Sequence, residues 1–100
     1  IRYESLPHIQ IVNASGETLH DVDLSGHVFE QTFPTLAPGE KRTFKATVKG
    51  ESGISVKFTS PTQGTMTNTV GYIETHGGYR AKITINDRLD VECKCTIGFP

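Results

Sequence analysis

Residues 79–97 read YRAKITINDRLDVECKCTI, and this stretch decides the fold class. Its apolar residues alternate with polar ones over residues 79–85 and again over residues 89–97, which is the period of a strand with one buried face. The polar residues 86–88 (NDR) separate the two segments and are typical of a tight turn. The stretch therefore predicts a β-hairpin.

The same alternation recurs along the rest of the chain. It predicts strands at residues 8–13, 19–24, 43–49, 54–58 and 64–75, and it leaves residues 27–33 open between an edge strand and a loop. The composition agrees, since 13 Thr, 8 Ile and 7 Val stand against 4 Ala and 5 Leu, a bias that favours strands. Strands at roughly ten-residue spacing are typical of a sandwich or barrel, and no segment is left for crossover helices. We therefore predict an all-β, mainly antiparallel β-sandwich of about seven strands.

Glycine and proline mark the predicted turns. Gly39 follows Pro38 within residues 36–40 (LAPGE), where a type II turn needs a positive φ at the glycine. Residues 50–53 (GESG) and 75–78 (THGG) are predicted turns as well. Gly71 lies inside a strand pattern, which indicates a bulge or a close approach within its strand.

The apolar side of each predicted strand supplies the core. The predicted core residues are Ile9, Ile11, Val22, Leu24, Phe44, Val48, Ile54, Val56, Phe58, Tyr72, Ile83, Ile85, Leu89 and Val91. With 100 residues, 35% of them hydrophobic, the chain suits one globular domain over residues 1–100. Residues 1–7 precede the first alternation and are interpreted as a tether.

Charge and hydropathy exclude some classes of protein. The formal net charge of -1 leaves no basic footprint for nucleic acid. No stretch approaches the roughly 18 apolar residues of a membrane-spanning segment. The chain begins at Ile1 and its only Met is Met66, so we interpret it as a processed chain or an excised part of a longer one.

Two short segments resemble a known class of module. Residues 12–16 (VNASG) precede the alternation at residues 19–24, and residues 36–40 (LAPGE) precede the strand that holds Phe44. This layout resembles the first half of bacterial immunoglobulin-like modules of the adhesion-related type, over about residues 9–58. The resemblance implies an immunoglobulin-like sandwich in an extracytoplasmic protein, periplasmic or at the cell surface, and it carries over no catalytic residue.

Cys93 and Cys95 are the most distinctive candidates for chemistry. Residues two apart on a strand point to one side but lie about 6.6 Å apart along it, too far for an unstrained disulfide. One interpretation is that both thiols belong to the core. Another is a Zn²⁺ or Cu(I) site completed from neighbouring strands, for which His20 is the His whose strand position predicts a core-facing side chain. A third is a local bulge that permits a strained disulfide.

Basic residues lie on the polar sides of several predicted strands. Lys45, Lys49 and Lys57 share adjacent strands, and Arg80 and Lys82 lie on another. Solvated faces explain them, because Lys also discourages edge-to-edge pairing of sheets. A patch for an anionic polysaccharide or a lipid head group is the alternative. An opposing acidic set favours the solvated faces, and it consists of Asp21, Asp23, Asp90 and Glu92.

No combination of residues indicates bond-making chemistry, so we expect no enzyme and no cofactor. The leading hypothesis is a non-catalytic interaction or structural module for a protein or glycan partner, and neither nucleic acid nor a membrane span is expected. The end loops and an edge strand are its candidate surfaces, the loops being residues 14–17, 36–40, 50–53 and 75–78. The alternative is a small metal-binding protein that uses Cys93 and Cys95.

Overall fold

The computed structural model describes residues 8–46, 51–74 and 79–97, which form eight strands. In chain order these are β1 (His8–Asn13), β2 (Leu19–Gly26), β3 (Phe29–Leu36), β4 (Lys41–Lys45), β5 (Glu51–Ser60), β6 (Gly64–Glu74), β7 (Tyr79–Ile85) and β8 (Val91–Ile97). This part of the chain contains no helix long and apolar enough to cross a membrane. The proposed tether, residues 1–7, lies outside the described residues.

The strands form two four-stranded sheets. Sheet A has the order β4-β1-β7-β8 and sheet B the order β3-β2-β5-β6. All described pairings are antiparallel except that of β1 with β7, which is parallel. The all-β sandwich prediction is confirmed, with eight strands rather than seven.

The additional strand is β3, the segment that the sequence left open. Its half-buried Phe29 and Phe33 alternate with exposed Glu30 and Thr32, so one side of the strand packs on the core. Pro34 suits this strand because β3 lies at the edge of sheet B, where a missing N–H breaks no ladder. Its partner is β2, with Val22 opposite Phe33.

The core lies between the sheets. Ten of the predicted core residues are buried, namely Ile9, Ile11, Val22, Leu24, Ile54, Val56, Phe58, Ile83, Ile85 and Leu89. Phe44 and Val91 are partly buried against them. Val48 and the side chain of Tyr72 lie outside what the structure describes. The sequence prediction missed Leu19, Leu36, Ala46, Ile73 and Ala81, which are also buried.

The predicted turns had mixed outcomes. Gly39 has the expected positive φ of 81°. The β7–β8 turn is also confirmed, because the Asn86 side-chain oxygen accepts hydrogen bonds from the backbone N–H groups of Arg88 and Asp90. The turn predicted at residues 50–53 is wrong for residues 51–53, which belong to β5. Residues 75–78 and Gly50 lie outside the described part.

Asn13 connects three segments at one end of the sandwich. It is fully buried, and its side-chain N–H groups donate to the carbonyls of Glu17 and Leu36 at 2.7 and 2.8 Å. Its side-chain oxygen accepts from the backbone N–H and the hydroxyl of Ser15 at 3.0 and 2.6 Å. Two donors and two acceptor positions are therefore all used, which a buried amide requires.

Gly71 forms a bulge in β6. Gly53 pairs with Tyr72 and Ile54 pairs with Val70, so Gly71 is an extra residue without a partner on β5. Its φ is 66°, a conformation that glycine adopts readily. Because the bulge adds one residue, the buried side of the strand changes from even to odd positions, and Ile73 is buried. The bulge predicted at Gly71 is confirmed, and the thiols of β8 lie close to this glycine.

We predict that Asn13→Asp lowers the free energy of unfolding by about 2–4 kcal/mol at neutral pH, because the new oxygen faces the carbonyls of Glu17 and Leu36. These carbonyls and burial should raise the pKa of the introduced Asp. The loss of unfolding free energy should therefore be smallest below the ordinary Asp pKa, and it should grow as the pH rises through the raised pKa of the folded state. Urea unfolding across pH measures this.

Asn86→Asp is the matched control for this substitution. Asn86 uses its oxygen as an acceptor for two backbone N–H groups, and Asp retains that oxygen. It replaces an exposed bond to Glu92 with repulsion between two carboxylates at the surface, so the cost should stay below about 1 kcal/mol, smaller than that at Asn13. Equal losses for the two variants would contradict the role assigned to Asn13.

We predict that Gly71→Ala costs more stability than Gly39→Ala, although both glycines have positive φ. A Cβ at Gly71 would lie 2.5 Å from the Cys93 sulfur and 2.8 Å from the Cys95 sulfur, whereas one at Gly39 meets nothing within 4 Å. We expect about 2–3 kcal/mol at Gly71 and about 1 kcal/mol at Gly39. Repeating Gly71→Ala in a Cys93→Ala, Cys95→Ala background should remove most of the difference in urea unfolding.

Candidate functional site

The outward side of sheet A carries an unusual number of cations. Ile9, Ile11, Ala81 and Ile83 are buried, so the residues between them on β1 and β7 point to solvent. The same alternation applies to β4 and β8. We define the basic face as the outward residues of these strands, which are His8, Gln10, Val12, Lys41, Thr43, Lys45, Arg80, Lys82, Thr84, Glu92 and Lys94.

The register arranges the basic face in rows across the strands. One row places Lys45 opposite His8 and His8 opposite Arg80. In the next row Thr43, Gln10, Lys82 and Lys94 follow one another across the sheet. Lys82 is thus directly opposite Lys94, and like charges in this position destabilise a sheet. Among the residues that define the basic face, five are Lys or Arg, and Glu92 is the only carboxylate.

The outward side of sheet B has a different character. Asp23 lies opposite Lys57, while Asp21 and Glu30 are exposed nearby on β2 and β3. Asp23 raises the pKa of Glu30, first through a shared hydrogen bond and then through charge repulsion. Threonines occupy much of the remainder of this face. Although the net charge is only -1, the outward side of sheet A therefore has an excess of cations and that of sheet B an excess of carboxylates.

A shallow groove crosses the middle of the basic face. It has a volume of about 440 Å³ and is lined by His8, Gln10, Thr43, Arg80, Ala81, Lys82 and Lys94. The Gln10 amide donates to the Thr43 hydroxyl at 3.5 Å, so neutral hydrogen-bonding groups lie beside the cations. Cations and neutral donors of this kind can hold an anion.

The sequence identified only part of this face. Lys45, Arg80 and Lys82 lie there, but Lys57 lies on sheet B and Lys49 is outside the described residues. The prediction missed Lys41, Lys94 and His8. The alternation of β8 showed that Lys94 points outward. No local signal showed that β1 pairs with β7, because parallel partners are far apart in sequence.

Cys93 and Cys95 lie together beside Gly71. Their sulfurs are 2.7 Å apart, and both thiols are free. Cys93 is half-buried and packs on the core, but Cys95 is exposed, so the interpretation of both as core residues is wrong for Cys95. Burial, then the hydrogen bond to Cys95 and its charge, raise the pKa of the Cys93 thiol to about 12. Cys93 is therefore protonated at neutral pH.

The described histidines lie away from the two thiols. His20 is exposed on sheet B, which corrects the prediction that it faces the core. The reason is a register shift at Asp21, whose φ is 49°, so that Leu19 and Val22 are both buried. His8 lies on the basic face, His27 is exposed, and His76 is outside the described part. Within residues 8–46, 51–74 and 79–97, no three His, Cys, Asp or Glu side chains are grouped so that they could hold a metal ion.

The predicted end loops are held by internal hydrogen bonds. The Glu17 carboxylate accepts from the hydroxyls of Ser60 and Thr62, at 2.6 Å each, and these bonds lower its pKa. The Glu40 carboxylate accepts from the Ala37 N–H and from Arg42, and its pKa is lowered as well. The side chains of the loops 14–17 and 36–40 thus serve the fold, and the basic face is the stronger candidate site.

Comparison with known proteins shows the fold alone. No family model and no curated protein matches this chain. Among solved structures, the NMR structure of a protein from Eubacterium rectale is similar, with a TM-score of 0.64 over 95% of this chain and 91% of that one. The two sequences are 19% identical. This chain therefore shares the architecture of that protein, an all-β arrangement of two packed sheets.

Proposed function

We propose that this chain is a non-catalytic interaction module that binds a negatively charged partner through the basic face. The observation that carries the proposal is the pair Lys82 and Lys94, directly opposite each other within a face that has five cations and one carboxylate. A like-charged cross-strand pair costs up to about 1 kcal/mol. A bound anion would offset this cost, because complementary charges across an interface favour the bound state.

Protection of sheet edges explains only some of these cations. Lys41 and Lys45 lie on β4 and Lys94 on β8, which are the two edge strands of sheet A. Lysine on an edge strand discourages pairing with another molecule. Arg80 and Lys82 lie on β7, which has partners on both sides, so edge protection does not account for them. A negatively charged ligand that binds the basic face accounts for all five cations.

We also propose that the module has the immunoglobulin-like topology of adhesion-related bacterial modules and an extracytoplasmic location, periplasmic or at the cell surface. The support is the sequence layout around residues 12–16 and 36–40, together with the two-sheet architecture. Its role is to bind or space rather than to catalyse. Turnover in a hydrolase screen that a single substitution abolishes would contradict that role.

The second candidate function is metal binding by Cys93 and Cys95, because the structure brings the two sulfurs together. Two obstacles stand against it. The raised pKa of Cys93 disfavours the thiolate that a metal requires. In addition, sulfurs bound to one tetrahedral Zn²⁺ at about 2.3 Å lie about 3.8 Å apart, so binding would have to separate these thiols.

We predict that the protein binds immobilised dextran sulfate and that Lys82→Gln with Lys94→Gln weakens this binding about tenfold. The reason is the loss of two charges at the centre of the face. The salt concentration at elution and the dissociation constant measure the effect, and the affinity should fall steeply with ionic strength. Without ligand, the same variant should melt no lower than the wild type, because it removes the repulsion between two lysines.

The matched control is Lys57→Gln with Arg88→Gln, which removes the same net charge outside the basic face. It should change the affinity less than twofold. An equal loss in both variants would mean that overall charge, rather than this face, governs binding. An absence of binding by the wild type would refute the proposed function.

For the second candidate, we predict the outcome of titrating the reduced protein with Cu(I) and with Zn²⁺ against a competing chelator. A genuine site binds one equivalent of metal, raises the melting temperature through linkage, and disappears in a Cys93→Ser, Cys95→Ser variant. Because Cys93 holds its proton, the affinity of such a site should increase as the pH rises. Identical titrations of the two proteins would eliminate the metal function.

A further inference from the structure

We infer that the occupant of the groove on the basic face is an anionic polysaccharide, a chain of sugars that carry carboxylate or sulfate groups. This inference rests on the proposed function and specifies the partner. It follows from three properties of the basic face, which are the spacing of its cations, the neutral groups beside them, and the kinds of side chain that its described residues lack.

The cations are spread across the basic face rather than gathered at one point. Lys45 and Arg80 lie on either side of His8, so their backbones are about 10 Å apart across two strand spacings. Arg80 and Lys82 are two residues apart on one strand, or about 6.6 Å. A single phosphate or carboxylate would contact all of these cations only if their side chains converged on one point. A polymer with a negative charge at regular intervals, running across the strands, can contact each cation without such convergence.

Neutral hydrogen-bonding groups lie beside the cations. Thr43 and Gln10 share a row with Lys82, and their hydroxyl and amide are within hydrogen-bonding distance of each other. Each can both donate and accept a hydrogen bond. Sugar hydroxyls also do both, so a partner that carries hydroxyls next to anionic groups matches this row, in which Thr43 and Gln10 precede Lys82 and Lys94.

Other polyanions match the face less well. Single-stranded nucleic acid binds by stacking its bases on aromatic side chains, and the residues that define the basic face include no Phe, Tyr or Trp. Peripheral binding to a membrane uses apolar side chains that enter the interface. The exposed large apolar side chain in the described residues is Val28, which lies in the β2–β3 turn of the other sheet. An acidic peptide that binds by adding a strand needs a free sheet edge, and Arg80 and Lys82 lie on β7, which has partners on both sides.

The test compares probes at one ionic strength. We expect alginate oligosaccharides, which carry one carboxylate per sugar, to bind more tightly than polyglutamate, oligothymidylate or vesicles containing phosphatidylglycerol, and neutral dextran not to bind. In NMR spectra of the labelled protein, alginate should shift the side-chain amide signals of Gln10 and the backbone signals of Thr43 and Lys82. The signals of the threonine-rich strand β6 on sheet B should stay in place.

Substitution of the neutral groups separates this inference from the proposed function. Gln10→Met with Thr43→Val keeps size and charge but removes the hydrogen-bonding groups, so it should weaken alginate binding about tenfold and leave polyglutamate binding within twofold. The variant Lys82→Gln with Lys94→Gln should weaken the binding of every polyanion. The control is Thr65→Val with Thr67→Val, on the exposed face of sheet B. It should change neither the affinity for alginate nor the affinity for polyglutamate.

Three results would overturn the inference while the proposed function stands. They are tighter binding of polyglutamate, tighter binding of oligothymidylate, and tighter binding of anionic vesicles than of alginate, each weakened by Lys82→Gln with Lys94→Gln. A Gln10→Met, Thr43→Val variant that binds alginate as well as the wild type does would overturn it too. Failure of all the anionic probes to bind would remove the proposed function along with it.

Discussion

The buried side chain of Asn13 is the constraint on which the arrangement of the strands depends. Its amide joins the turn after β1 to the last carbonyl of β3, and its backbone exchanges hydrogen bonds with Glu40 and Gly39 just before β4. One residue thus connects sheet A to sheet B and fixes where β1 ends. Because β1 lies between β4 and β7, the position at which β1 ends also sets which residues face one another in the rows of cations on the outer surface.

Alternation in the sequence predicted most of the strands, because a half-buried strand must alternate. It failed where the backbone inserts an extra residue. The bulge at Asp21 turns His20 outward, and the bulge at Gly71 makes Ile73 a core residue. The bulge at Gly71 could be predicted, since glycine inside a strand pattern is typical of a bulge. The bulge at Asp21 could not be predicted, because the left-handed conformation of this residue depends on pairing with two neighbouring strands.

The candidate site was harder to predict than the strands for a related reason. Arg80 and Lys82 were assigned to the outward side of their strand from sequence alone. Their partners in the groove come from β1, which is parallel to β7 and is separated from it by the whole of sheet B. The residues next to Arg80 and Lys82 in the sequence do not indicate that β7 pairs with β1. The two cysteines were predicted to share a side, and they do, beside Gly71 of β6, but only Cys93 packs on the core while Cys95 is exposed.

The separation of charge between the two sheets has a physical consequence for how this molecule meets a partner. With a net charge of -1, the protein has almost no long-range attraction for a polyanion, since the carboxylates of sheet B offset the cations of sheet A. Within a Debye length of about 8 Å at physiological salt, however, a ligand at the basic face experiences mainly the nearest cations. Recognition is therefore local. It depends on close contact with the groove, where hydrogen bonds as well as charge discriminate between ligands, and not on attraction from a distance.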